Sequence, residues 1–390
     1  MAPARTRVVL VAMLAAAAHA EKAAAAVANR FVPADPQFVV ANVRQATPDT
    51  ALRELIARWR ASPDDAASAA LAAAFLDRAS ALREPMYVGR AEAVLGPAAA
   101  NPRASAAVRR LYAEALQYRH AFNTAEALLD AILLATPFDA AARQQRASVR
   151  LVRGDFIGAR ADCARLLAGG GVQSIALACL AEAMAGAGQL QRAQALLAAY
   201  PLRNDDADAA RAYFLTVRAE LYERSAQPGR AIADYRAALD LAPGADPIRA
   251  ALADALTARG DLAAAAALLG VARPSLALTV RHVACTRGGE QASLRSQATA
   301  WLDLEAARGD AQHYREVALL ALETGEAQRA LGAALANFKV QRELADVRVL
   351  ARAAVAARDL AARRELEAWL RQTGFRDART ENLLAAAAAG

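Results

Sequence analysis

The sequence predicts an all-α fold, a right-handed α-solenoid in which antiparallel helical pairs stack in a row. Hydrophobic residues make up 56% of the 390 residues but aromatic residues only 5%, because alanine supplies most of the apolar side chains. Alanine has the highest helix propensity, since it loses no side-chain entropy in a helix. No long segment alternates β-branched with polar residues, as an amphipathic strand would. The third observation is a spacing of 34 residues between recurring alanines.

The first twenty residues have the pattern of a secretory signal peptide. Arg5 and Arg7 precede an apolar run at 8–18, and Ala18-His19-Ala20 has the form of a cleavage site. The run is shorter than the roughly 20 residues that a membrane-spanning helix needs. We therefore expect an exported protein with no stable membrane span after signal cleavage; a signal retained as an inner-membrane anchor is the alternative.

The recurrence is clearest in six alanines that share one register. The first four are 34 residues apart, an insertion near 204–207 makes the next spacing 38, and then 34 returns. The six are Ala91, Ala125, Ala159, Ala193, Ala231 and Ala265. Twelve residues before each lies another alanine: Ala79, Ala113, Ala147, Ala181, Ala219 and Ala253. Antiparallel helices approach closely only where one side chain is small, so these alanines predict the helix–helix contacts.

Larger residues and turn signals complete each repeating unit. Glycines at 154, 188 and 260 are predicted to separate the two helices of a pair, and Pro137 and Pro243 to follow second helices. Four residues after each second-helix alanine comes a larger side chain: Leu95, Leu129, Cys163, Leu197, Tyr235 and Leu269.

This pattern resembles the tetratricopeptide repeat, a 34-residue helix-turn-helix unit with small residues at its close contacts. The residues that match it best are Leu215, Ala219, Tyr222, Ala231, Tyr235, Ala238 and Pro243. The resemblance implies a concave groove, lined by first helices, that binds peptides or partner proteins. Segments such as "ARADCARLL" also resemble exported bacterial repeat proteins with no assigned activity, which implies a periplasmic or secreted bacterial protein.

The organisation of the chain follows from where the register holds. Pro33, Pro36 and Pro48 indicate an extended segment before the repeats, and Arg363 stands where a late repeat should have an alanine. The predicted segments are a signal peptide at 1–20, an extended lead-in at 21–48, regular repeats at 49–279, less regular repeats at 280–377 and a C-terminal tail at 378–390.

Two cysteines lie on helices that should pack together. Cys163 falls on the second helix of one pair and Cys179 on the first helix of the next. An exported protein is in an oxidising compartment, which permits a Cys163–Cys179 disulfide. Two small buried thiols are the equally open alternative, and Cys285 is expected to be a buried free thiol.

The composition argues against several classes of function. The net charge of +7 comes from 47 basic and 40 acidic residues that are interspersed, without the basic stripe and stacking aromatics of a nucleic-acid binder. His120, His282 and His313 are isolated, whereas metal sites need clustered ligands. No nucleophile elbow or phosphate-binding loop occurs. We therefore expect no catalytic residues, no metal, no cofactor and no nucleic-acid partner.

The register also predicts which residues line the groove. These are polar or tyrosine residues on four successive first helices: Arg110, Glu114, Gln117, Tyr118, Gln144, Ser148, Glu182, Tyr213, Thr216, Glu220 and Glu223. The predicted function is a non-catalytic periplasmic scaffold that binds a protein or peptide partner there. The alternative is an accessory or catalytic component of cell-envelope polysaccharide assembly, which would need carboxylates of perturbed pKa near Glu220 or Glu114.

Overall fold

The computed structural model describes residues 49–82, 84–308 and 313–389. The predicted signal peptide at 1–20 and lead-in at 21–48 lie outside the described residues. The chain divides into two units, Met1–Arg53 and Glu54–Gly390. Of the first unit only residues 49–53 are described, at the start of helix α1. The repeats and the sites belong to the second unit.

The described residues form twenty α-helices and no strand, which confirms the predicted all-α fold. From α2 onward, even-numbered helices are the first and odd-numbered helices the second members of successive pairs. In chain order the helices are α1 (Thr50–Ala61), α2 (Asp65–Leu82), α3 (Met86–Ala99), α4 (Ala106–Tyr118), α5 (Phe122–Ala135), α6 (Ala140–Arg153), α7 (Phe156–Ala168), α8 (Gln173–Gly186), α9 (Leu190–Ala199), α10 (Asp208–Arg224), α11 (Pro228–Leu241), α12 (Asp246–Arg259), α13 (Leu262–Gly270), α14 (Leu276–Cys285), α15 (Gly288–Arg308), α16 (Tyr314–Thr324), α17 (Ala327–Val340), α18 (Leu344–Ala356), α19 (Leu360–Thr373) and α20 (Ala378–Ala389).

The recurring alanines are buried at the contacts between these helices. All six second-helix alanines are fully buried, and five of the six first-helix alanines are at most 1% exposed. The larger residue one turn on is buried too, and Tyr235 is the largest fully buried side chain among the described residues. The packing explanation for the 34-residue spacing therefore holds in every regular unit.

Several turns within pairs use the left-handed backbone region. Gly154 and Gly260 end α6 and α12 with φ of +79° and +88°, a conformation that costs glycine nothing. In three other pairs the same kind of turn contains a residue other than glycine, namely His120, Ala226 and Arg358, with φ between +53° and +57°. A side chain in this region costs about 1–2 kcal/mol.

The disulfide that the sequence left open is present. Cys163 on α7 and Cys179 on α8 are bonded, with their Cα atoms 5.6 Å apart, a separation normal for a disulfide. The bond ties two consecutive pairs together. Cys285 is a buried free thiol, and burial raises its pKa to about 11.

The late helices pack against the early ones, so the superhelix closes on itself. One hydrophobic core joins residues of α6, α7 and α8 to residues of α14 through α20. The backbone N–H of Arg342 donates to the carbonyl of Val152 at 2.7 Å. A Cβ added to Gly374 would lie only 3.0 Å from the Cα of Gly188, so these two turns touch backbone to backbone.

An aromatic cluster lies in the same interface. Phe156 at the start of α7 contacts Trp369 of α19 and Phe375, with ring centroids 6.3 and 6.0 Å apart, and Phe338 meets Trp369 edge-on at 5.2 Å. Such pairs add roughly 0.5–1.5 kcal/mol beyond the area they bury. The contact is therefore a packed part of the fold, and it was not predicted from the sequence.

Residues 378–389, which the sequence analysis set apart as a tail, form helix α20. Asp377 begins this helix by accepting hydrogen bonds from the backbone N–H and hydroxyl of Thr380, at 3.1 and 2.7 Å. This helix also explains why residue 363 is an arginine where the register predicts an alanine. Its guanidinium reaches the carbonyls of Leu384 and Ala387 in α20, at 3.5 and 3.0 Å, where a cation is favourable near a helix C-terminus.

Candidate functional site

The predicted groove residues fall into two groups with different surroundings. Those on α4 and α6 form an accessible row: Tyr118 is 50% exposed, and Gln144 and Ser148 are exposed. Arg110, Glu114 and Gln117 in the same row are half-buried. We call these six residues the open row. Among the five residues on α8 and α10, Glu182 lies close to Glu343 and Glu223 pairs with Arg348 of the C-terminal region.

The side chains of the open row are only partly committed to internal contacts. Gln117 and Ser148 bond to carbonyls of their own helices at 3.2 Å. Burial raises the pKa of Glu114, and the nearby Arg110 opposes that rise. Tyr118 keeps half of its surface in solvent, which suits an aromatic contact residue.

Of the five residues on α8 and α10, only Glu182 and Tyr213 bond to each other. The Tyr213 hydroxyl donates to Oε2 of Glu182 at 2.9 Å, and the Thr216 hydroxyl donates to its own helix at 2.8 Å. Burial raises the pKa of Glu182 to about 7; the hydrogen bond from Tyr213 opposes this and the charge of Glu343 adds to it. Glu220 and Glu223 continue this row into a cavity.

The cavity lies inside the superhelix, has a volume of about 260 Å³, and is surrounded by the first helices α10, α12, α14, α16, α18 and α20. Its lining holds equal numbers of acidic and basic side chains. The acidic residues are Glu220, Glu223, Asp254 and Glu323, and the basic residues are Arg281, Arg348, Arg352 and Arg379. We call this space the charged cavity.

The floor of the charged cavity is a buried ion-pair network centred on Arg348. Its guanidinium donates to Oε1 of Glu223 at 2.9 Å and to Asp377 at 2.8 and 3.1 Å. The Tyr235 hydroxyl donates to the other Glu223 oxygen at 2.8 Å. The side chains of Arg348, Glu223 and Asp377 are only 11%, 8% and 0% exposed, so these charges stay together at depth.

The mouth of the cavity carries two further ion pairs. Arg281 contacts Asp254 at 2.9 Å, and Arg352 contacts Glu323 at 3.1 Å. Asp254 and Arg352 are 37% and 36% exposed, which marks the side open to solvent. Three of the four arginines thus have a carboxylate partner.

Glu220 and Arg379 remain without such a partner. Neither makes a hydrogen bond or an ion pair with any residue that the structure describes. Burial raises the pKa of Glu220 well above its ordinary value, and the charges of Glu182 and Glu343 raise it further. Burial lowers the pKa of Arg379, and the neighbouring Arg348 lowers it further.

Sequence reasoning found the acidic side of this site but missed the basic side. Glu220 and Glu223 were predicted, whereas all four arginines lie in α14, α18 and α20. The alanine register could have located two of these arginines. Relative to Ala351, Arg348 and Arg352 occupy the positions that Thr216 and Glu220 occupy relative to Ala219.

Within the described parts of the chain, no group of three or more His, Cys, Asp or Glu residues could hold a metal ion. Among the described helices, none combines the length and apolarity that crossing a membrane requires.

Three solved structures resemble parts of the chain. A thermophilic tetratricopeptide repeat protein of Thermus thermophilus has 23% identity over 46% of this chain and 98% of its own, with a TM-score of 0.40. A tetratricopeptide repeat protein of Parabacteroides merdae has 14% identity over 77% and 98%, with a TM-score of 0.38. The pilF protein of Pseudomonas aeruginosa has 14% identity over 52% and 91%, with a TM-score of 0.36. Likenesses of this size say nothing about what this chain does.

Sequence comparison supports the repeat assignment directly. No protein of curated function matches the chain in sequence. The family model described as tetratricopeptide repeat matches residues 171–270. The same alanine register and helical pairing run from Ala79 on α2 to Ala265 on α13. The chain therefore contains tetratricopeptide repeats over residues 171–270, within a longer run of helical pairs in the same register.

Proposed function

We propose that the protein is a non-catalytic scaffold of the bacterial periplasm that binds a protein or peptide partner along the open row on α4 and α6. Tetratricopeptide repeats are protein–protein interaction scaffolds, and stacked pairs offer an extended surface for a partner. The observation that carries the proposal is Tyr118, a half-exposed aromatic side chain among polar neighbours. Exposed tyrosines give large, rigid contact area at low entropic cost.

We favour the open row over the rest of the predicted groove because the two parts differ in how far their side chains are engaged in internal contacts. Tyr213 is bonded to Glu182, which lies close to Glu343 of the C-terminal region. A partner that bonded to either side chain would compete with this internal contact. Tyr118, Gln144 and Ser148 are exposed to solvent and can be reached without such competition.

Two observations support a periplasmic location. The N-terminal sequence has the charged and apolar segments of a signal peptide. The Cys163–Cys179 bond is of the kind that persists in oxidising compartments such as the periplasm. Determining the N-terminal residue of the mature protein tests signal cleavage: a start at or near residue 21 supports a released periplasmic protein, and a start at residue 1 contradicts that release.

A site-specific photo-crosslink tests the partner surface. A benzoylphenylalanine at position 144 is expected to capture a partner in the envelope, whereas the same probe at the exposed position 236 on α11 is not. Tyr118→Ala should lower capture about tenfold, the effect of roughly 1.4 kcal/mol. Tyr213→Phe removes only a hydroxyl bonded to Glu182 and should leave capture unchanged. Equal capture by wild type and Tyr118→Ala would refute the assignment of the open row.

The raised pKa of Glu220 favours the second candidate, an accessory or catalytic component of cell-envelope polysaccharide assembly. That function requires a carboxylate of perturbed pKa in a cavity, and Glu220 meets the requirement. Its test is binding or cleavage of envelope polysaccharide fragments by the purified protein. Loss of either property in Glu220→Gln, with full retention in Tyr118→Ala, would support this function over the scaffold.

A further inference from the structure

The charged cavity contains a carboxyl group and a guanidinium that the protein itself does not pair. Its other arginines have carboxylate partners at 2.8–3.1 Å. Arg379 and Glu220 have no hydrogen-bond or ion-pair partner among the described residues. We propose that the charged cavity binds a small carboxylic acid of amino-acid size, with its carboxylate on Arg379 and an amino or hydroxyl group towards Glu220.

Arg379 lacks a counter-charge bonded to its guanidinium. Arg379 is half-buried on α20 and lines the same cavity as Arg348 and Arg352. Burial of a guanidinium without a bonded carboxylate is unfavourable and lowers the pKa of Arg379; Arg348 and Arg352 lower it further, while the charges of Glu223 and Asp254 oppose this. A carboxylate accepts two parallel hydrogen bonds from a guanidinium and removes the imbalance.

The surroundings of Glu220, which lines the same cavity, restrict the rest of the ligand. Glu220 stands near Glu182, Glu223 and Glu343, so a second anionic group there would meet repulsion. Protonated Glu220 can donate a hydrogen bond, and ionised Glu220 can accept one. Either state suits an amino or hydroxyl group, and neither suits a dicarboxylate that would place its second charge there.

The size of the cavity limits the ligand to a small molecule. Its volume of about 260 Å³ corresponds to roughly nine water molecules at about 30 Å³ each. It falls just below the ~300–1,000 Å³ of pockets for drug-sized ligands. A folded segment or a helix does not fit, whereas an amino or hydroxy acid does.

The cavity also has a built frame and an entrance. The ion pairs of Arg348 at the floor are nearly buried and hold α10, α18 and α20 together. Asp254 and Arg352, each more than one-third exposed, flank the open side. A ligand can therefore enter without unfolding the site, and its binding does not involve the open row.

Titration calorimetry on the mature protein tests this inference. The probes are L-alanine, L-leucine, L-glutamine and L-lactate, each beside its carboxamide, with inorganic phosphate as a general anion. At least one acid should bind with a Kd below about 1 mM, and its amide at least tenfold more weakly. Arg379→Gln should weaken binding at least tenfold, whereas Arg364→Gln, an exposed arginine on α19, should stay within twofold.

Defined outcomes overturn the inference. Absence of binding by every acid up to 10 mM, equal affinity for acid and amide, equal affinity for phosphate, or unchanged affinity in Arg379→Gln would each do so. Circular dichroism checks that the variant is folded. If Arg379→Gln does not fold, Arg379→Lys is the second variant. It keeps the positive charge but loses the two parallel hydrogen bonds of the guanidinium, so the affinity for the acid should fall severalfold. Failure here leaves the partner surface untouched, because crosslinking at position 144 reads that surface separately.

Discussion

Arg348 holds the closed superhelix together, so replacing it gives a sharp test of the fold. It lies on α18 and bonds to Glu223 of α10 and to Asp377 at the start of α20. Arg348→Met keeps an unbranched aliphatic stem and removes the guanidinium. The variant therefore leaves two carboxylates, 8% and 0% exposed, without their cation.

The magnitude follows from this burial. Removing one partner of a buried ion pair costs about 3–5 kcal/mol, because the remaining charge stays desolvated. Arg376→Met is the matched control on the same segment, since Arg376 pairs with Glu381 while their side chains are 63% and 35% exposed. A pair exposed to this degree contributes about 0–1 kcal/mol. The two variants should therefore differ by at least about 2 kcal/mol.

Hydrogen exchange detected by mass spectrometry is the appropriate assay, because repeat arrays open locally. Peptides from α20 and from the C-terminal half of α10 should exchange at least about 100-fold faster in Arg348→Met, the factor expected for about 3 kcal/mol. Peptides from α2 and α3 should not change. Urea unfolding measures the total loss in parallel.

The pH dependence of the stability cost of Arg348→Met tests whether the loss comes from the buried carboxylates. Burial alone would raise the pKa of Asp377, but Arg348 and Thr380 hold it below 3.8. In wild type this stabilisation is present above pH 3.8 and is lost as the pH falls through the lower folded pKa. Without Arg348 the carboxylate is protonated at higher pH, so the cost should be largest at pH 7 and shrink towards pH 4. A cost that is flat over this range, or equal to that of Arg376→Met, contradicts the reasoning.

Three further predictions concern separate features. Because burial raises the folded pKa of Glu182 to about 7, wild type loses stability as the pH rises from 4.5 to 7; Glu182→Gln should gain about 1–2 kcal/mol relative to wild type over that range in urea unfolding. Ala226→Gly, at φ of +57°, should raise stability by about 1 kcal/mol in the same assay, whereas Ala237→Gly within α11 should lower it by a similar amount. Reducing the Cys163–Cys179 bond, which spans 16 residues, should cost about 3 kcal/mol; unchanged unfolding in dithiothreitol would contradict a stabilising role.

The regular repeats were predictable because each alanine reports a contact between neighbours in sequence. Ala219 and Ala231, twelve residues apart, both lie at one closely packed helix pair and are fully buried. Periodicity therefore determines local pairing, the register of first helices and the positions of Glu220 and Glu223. The same register, continued to Ala351, also places Arg348 at a groove-lining position.

The closure of the superhelix could not be predicted in this way. Its contacts join Phe156 to Trp369 and Gly188 to Gly374, residues about two hundred positions apart that occur once and not in every unit. The sequence did not indicate Arg379 as a cavity residue, because the alanine-rich C-terminal segment was expected to be a tail beyond the repeats. The start of α20 nevertheless has a recognisable signal, since Asp377 is followed three residues later by Thr380, whose backbone N–H it caps.

Closure also explains why the later repeats depart from the regular pattern. A unit in an open solenoid contacts only its neighbours, so one register of small residues satisfies it. The later units contact their neighbours and, through Arg342, Trp369 and Gly374, also residues of the α6–α8 region and the turn after it. Their first helices also face carboxylates of α10 across an enclosed space, where an unpaired charge is costly. Arg348, at a groove position, meets this second demand through Glu223 of α10, whereas Arg363, at a small-residue position, bonds to carbonyls of the adjacent α20. The irregular sequence of this half is thus the consequence of folding against the other half.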